Sequence, residues 1–124
     1  MSQHILMSEK EGQSYLASQA APEFNANDFP EGWSGAGVEA SGVFMFILKV
    51  DKESDTFELH ASEDAWLAYV VSGSGTLLAG TADEQRTESV AYAAGDFITF
   101  EANTPHGWIN NIDAESRLLF VKQA

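Results

Sequence analysis

Cysteine is absent from the 124 residues, which removes disulfides, thiolate metal ligands and cysteine nucleophiles and fits a reducing compartment. Basic residues are nearly as scarce: six lysines and arginines stand against 19 aspartates and glutamates, for a net charge of −13. Six scattered cations cannot form a stripe that tracks phosphates, so nucleic acid is not an expected partner. Long apolar runs are missing too. The longest, Val43 to Leu48, is far too short to cross a bilayer and reads as a buried strand. Met1 to Gly12 mixes Gln3, His4, Glu9, Lys10 and Glu11 with a few apolar residues and holds no signal-peptide core. A soluble, cytoplasmic protein with no membrane partner is expected.

What the chain does have is enough apolar material for one core. Hydrophobic residues make up 44%, and the length suits a single domain. The acids cluster where loops are expected, as in Asp51/Glu53/Asp55 and Asp83/Glu84, and describe a solvated surface. Residues 1–36 differ from the rest. Pro22, Pro30, Gly32, Gly35 and Gly37 interrupt any pattern, so an N-terminal arm with at most one short strand or helical turn is expected. Tyr15, Leu16, Phe24, Phe29 and Trp33 make it too apolar to be a free tail. It should lie on the barrel or on a partner subunit.

From residue 37 to 124 the expected unit is a β-barrel. Short strands are expected at 43–50, 56–60, 66–71, 76–79, 86–92, 97–101, 106–111 and 117–122, separated by turn residues such as Ser72-Gly73-Ser74-Gly75 and Ala94-Gly95-Asp96. No stretch keeps a helical apolar period over three turns. An all-β chain of this size must hide its sheet edges, which a closed double sheet does.

Two segments narrow the fold further. One is His60-Ala-Ser-Glu-Asp-Ala-Trp66 leading to Gly73-Ser-Gly75, and the other is Gly95-Asp-Phe-Ile-Thr-Phe-Glu101-Ala-Asn103-Thr-Pro105-His106-Gly-Trp-Ile-Asn110. They resemble, in order and spacing, the two sequence motifs of the cupin superfamily. That resemblance implies an all-β jelly-roll barrel, also called a double-stranded β-helix, with a small-molecule site inside it. Gly95, His106 and Asn110 match the second motif outright. Glu101 and Asn103 stand where the family has proline and glycine, although asparagine tolerates the left-handed backbone that glycine supplies.

In metal-bearing cupins the first motif supplies two histidines and a glutamate, and the second motif one more histidine. Counting back from Gly73, this chain keeps His60 and His106 but has Ser62 and Trp66 in the other two places. Two imidazoles alone hold a divalent ion weakly. An indole cannot ligate, because its only polar atom is a donor. The expected site therefore has no resident metal. The alternative is a divalent ion, Fe, Mn, Ni or Zn, held by His60, His106 and a carboxylate such as Glu58, Glu63 or Asp64.

Strand alternation gives the expected lining. Glu58, His60 and Ser62 share one face, Trp66, Ala68 and Val70 another, and His106, Trp108 and Asn110 a third. His60, Ser62, Trp66, His106 and Trp108 then form a pocket for a small molecule, with His106 the candidate for proton transfer. Trp66 either walls this pocket or fills it. Lys49, Arg86, Arg117 and Lys122 are not placed on inward faces, so a neutral or cationic ligand is expected. Three readings follow: a metal-free binding module, a metal-dependent oxygenase, isomerase or lyase, and a barrel retained for oligomer contacts. A homodimer using the arm is expected from the resemblance.

Overall fold

The computed structural model describes residues 2–111 and 113–124; Met1 of the expected arm lies outside them. All eight expected strands are present, as β4 (Val43–Val50), β5 (Phe57–His60), β6 (Trp66–Ser72), β7 (Ser74–Gly80), β8 (Arg86–Ala93), β9 (Phe97–Phe100), β10 (His106–Asn110) and β11 (Ser116–Gln123). With β3 (Trp33–Ala40) they form two antiparallel sheets, ordered β3-β4-β11-β6-β9 and β5-β10-β7-β8. Going along the chain from β4, the strands cross from one sheet to the other at nearly every step. This is the jelly-roll arrangement, and it buries one face of each sheet against the other. Among the described residues no helix is long and apolar enough to cross a membrane.

The expected arm is where the structure departs from the sequence reading. It contains a hairpin, β1 (Gln3–Lys10) with β2 (Gln13–Ala20), and the start of β3 (Trp33–Ala40). The hairpin closes on Glu11-Gly12, both at positive φ (53° and 80°), which matches the right-handed twist of the two strands. The Gly12 N–H donates to the Glu9 carboxylate at 2.6 Å. Strand β3 belongs to the barrel, so the boundary placed at residues 36/37 falls inside a strand. Its glycines do not break it; they thin it. A Cβ on Gly37 would come within 2.8 Å of the Phe44 ring, and Gly35 faces Phe29 and Phe46. Glycine in a strand here marks the close approach of an aromatic ring. Trp33, expected to lie across the barrel, is instead 1% exposed in its core, and its indole N–H donates to the Asp55 carbonyl at 2.7 Å.

The core between the sheets is largely aromatic. Phe46 and Phe120 stack at 4.9 Å, and Trp108 meets Phe100, Phe120 and Tyr92 edge-on or tilted at 5.4 to 5.9 Å. One end of this core is closed by Asn110 rather than by an apolar group. Its amide donates to the carbonyls of Asp51, Asn111 and Ala114 at 3.1 to 3.2 Å, and its oxygen accepts from Ser116 Oγ at 2.5 Å. Asn110 and Ser116 are both buried. Asn110 shares the inward face of β10 as expected, but its hydrogen bonds are spent on holding the β4–β5 and β10–β11 connections together. Replacing Asn110 with Ala strands buried carbonyls and a hydroxyl and should cost roughly 2–3 kcal/mol. Asn110→Asp, which cannot donate, should cost at least as much. Urea unfolding of the two variants beside the parent checks both values.

Candidate functional site

The site is set by the pairing of β5 with β10. His60 lies opposite His106 in the register, and a bulge between His106 and Trp108 then brings Trp108 opposite Phe57. Gly107 permits this, since a Cβ there would sit 2.7 Å from the Phe57 carbonyl oxygen. Because of the bulge, residues three apart on β5 share the inner side: Phe57 and His60 stack at 4.2 Å with an interplanar angle of 18°. The expected common face of Glu58, His60 and Ser62 therefore does not form. Glu58 turns to solvent and meets the exposed Arg86 guanidinium at 3.3 Å.

The His60 and His106 rings lie with centroids 4.4 Å apart, tilted by 60°. Each has its Nδ1 on a carbonyl two residues back, His60 on Glu58 at 2.9 Å and His106 on Thr104 at 2.8 Å. A carbonyl can only accept, so each Nδ1 carries the hydrogen, and each Nε2 is left as a lone-pair acceptor. Burial holds the His106 imidazole below its ordinary value of 6.5. The Thr104 carbonyl pulls the other way, and the His60 ring opposite adds to the lowering. His106 is thus neutral at physiological pH and fit to accept a proton or a hydrogen bond.

All five expected pocket residues, His60, Ser62, Trp66, His106 and Trp108, line one cavity of about 170 Å³ inside the barrel. Trp66 is a wall and not a plug. It packs edge-on against Phe46 and Phe120 at 5.4 and 6.0 Å and leaves the cavity open beside it. The sequence reading missed most of the wall, which consists of Phe29, Leu48, Phe46, Phe57, Phe100 and Phe120. Period-two alternation from Leu48 or Leu118 reaches Phe46 and Phe120. Phe57 was hidden by the bulge.

The loop between β5 and β6 is tied to neighbouring elements at two points and braced once within itself. The Asn103 N–H donates to the Ser62 carbonyl at 2.7 Å, and the Asp64 N–H donates to Ser62 Oγ at 3.1 Å. The Asp64 carboxylate pairs with Lys122 at 3.3 Å. Asn103 adopts the left-handed backbone (φ 60°) that its place in the motif calls for. Lys122 is a correction. It follows Leu118 and Phe120 on the inward side of β11, and its ammonium lies 5.7 Å from the Trp66 ring and 6.0 Å from Phe44. One cation therefore stands behind the cavity wall, matched by Asp64, while Glu63 stays exposed.

A family model described as "Cupin domain" matches residues 44–122, and the chain belongs to the cupin family. An RmlC-like cupin from Shewanella frigidimarina NCIMB 400 superposes with a TM-score of 0.62 at 17% identity, over 82% of this chain and 83% of that one. The polyketide cyclase RemF from Streptomyces resistomycificus gives 0.64 at 21%, over 82% and 73%. An oxalate decarboxylase from Lactobacillus farciminis, solved as a formate complex, gives 0.62 at 20%, and there the match covers 82% of this chain but 30% of the other. At these identities the likeness is one of fold. No curated protein sequence matches the chain.

The donor set does not fit the metal that the family implies. Among the described residues no three histidine, aspartate or glutamate side chains gather closely enough to share an ion. Besides the two imidazoles, the polar groups lining the cavity are a serine hydroxyl, already accepting from Asp64, and two donor-only indoles.

The depressed His106 value carries a consequence for stability. The unfolded chain, with His106 near 6.5, takes up its proton before the folded one as pH falls. This contribution is complete above about pH 6.5 and is lost as pH drops through that value toward the lowered folded one. His106→Gln should flatten that limb of the stability profile, as read from urea midpoints at a series of pH values. An equally steep limb in the variant would assign the acid sensitivity to other groups.

Proposed function

We propose that this cupin is a small-molecule-binding module whose ligand occupies the barrel cavity against His60 and His106, without a complete metal site. The observation that carries this reading is the cavity itself. It is walled by aromatic rings and has two imidazoles, each with Nδ1 committed to a backbone carbonyl, and no carboxylate among its lining residues. Apolar walls with a few oriented polar groups are the usual make-up of a ligand site. A neutral or cationic ligand suits it, because two lone pairs and the negative faces of several rings repel an anion. Any proton moved at this site goes to or from Nε2 of His106.

The second reading, a metal-dependent enzyme, has one observation in its favour. Metal-bound histidines commonly donate their other ring nitrogen to a carbonyl, as His60 and His106 both do. The related folds include a polyketide cyclase and an oxalate decarboxylase, which are enzymes.

Elemental mass spectrometry on protein purified without an affinity tag, beside a His60→Ala/His106→Ala double variant, separates the two. The binding-module reading expects no stoichiometric Fe, Mn, Ni or Zn in either sample. One equivalent in the parent, lost in the variant, would overturn it in favour of the enzyme.

A further inference from the structure

We infer that the molecule held in the barrel is a single planar ring carrying O–H or N–H donors, of the phenol or catechol kind; this rests on the binding reading above. Size comes first. A cavity of about 170 Å³ is close to the ~150 Å³ that accommodates benzene and well below the ~300 Å³ at which pockets for drug-sized ligands begin. One ring fits and two fused rings do not.

Shape follows from the walls. Phe57 already stacks on His60, and Phe100 lies 4.6 Å from His106, so both imidazoles sit in an aromatic slot that a flat molecule continues. Polarity then selects among flat molecules. Both Nδ1 hydrogens are spent on backbone carbonyls, so both Nε2 atoms accept. An acceptor-only ring leaves them unsatisfied once water is displaced, and that penalty discriminates strongly against analogues lacking the donor. Two neighbouring donors on one ring can serve two imidazoles whose centres are 4.4 Å apart. Ser62 Oγ, which accepts from Asp64, retains its own hydrogen for a ring oxygen. A carboxylate ligand has no lysine or arginine in the lining to meet it, and Lys122 is engaged by Asp64.

Calorimetric titration of the full chain with catechol, 1,2-dimethoxybenzene, toluene and benzoate tests this. Catechol should bind at least tenfold more tightly than the other three. His106→Leu should weaken catechol about tenfold and leave toluene unchanged or tighter. Equal affinity for catechol, dimethoxybenzene and toluene would overturn the donor requirement while leaving a working pocket. Preference for benzoate, or no binding of any ring, would overturn the ligand class; the binding-module reading stands or falls separately on the metal content.

Discussion

The bulged pairing of β5 with β10 is the constraint on which the site depends. A regular ladder would put Glu58 beside His60 and bring a carboxylate within reach of both imidazoles. With Gly107 lying against the Phe57 carbonyl, the ladder slips, Phe57 takes the inner place and Glu58 is sent to solvent. One backbone irregularity thus places an aromatic ring, and not a carboxylate, against the His60 imidazole. Bulges re-aim side chains beside functional sites in this way, and this one does so without any change in the histidines themselves.

The polar groups around the barrel divide into two sets with separate tasks. Asn110, Ser116 and the carbonyls they satisfy lock the end of the barrel away from the cavity, and every hydrogen-bonding capacity of the Asn110 amide oxygen and nitrogen is turned toward protein. His60 and His106 use only half of theirs. A buried amide that is fully spent rigidifies a fold. An imidazole with one nitrogen committed and the other open is oriented and still available. The contrast separates the polar residues that support the barrel from those that line its cavity.

Much of this was legible in the residues. The strands from Val43 onward follow from alternation and turn chemistry, and the inward placement of Trp66, Ala68, Val70, His106 and Trp108 follows from period two. Asn103 takes the left-handed conformation that its place in the motif requires. Three things were not legible, each for a physical reason. The hairpin lacks an alternating apolar pattern because it buries neither face. Strand β3 is rich in glycine because phenylalanine rings lie across it, so it reads as a break. The bulge at Gly107 leaves no mark in composition, and it undoes the period-two argument on β5 alone. Lys122 was recoverable by counting from Leu118 and Phe120.

The loop that contributes Ser62 to the cavity is fastened by one backbone hydrogen bond from Asn103 and by the Asp64–Lys122 pair, whose partners are 46% and 23% exposed. A pair this open to solvent contributes at most about 1 kcal/mol and weakens with ionic strength. The barrel strands around the cavity have no such dependence, since their contacts are apolar. The hold on this loop is therefore salt-dependent, while the aromatic walls keep the shape of the chamber. Form and fastening are separable in this barrel: the apolar rings set the shape of the chamber, and one exposed ion pair helps set how firmly its Ser62 side is held.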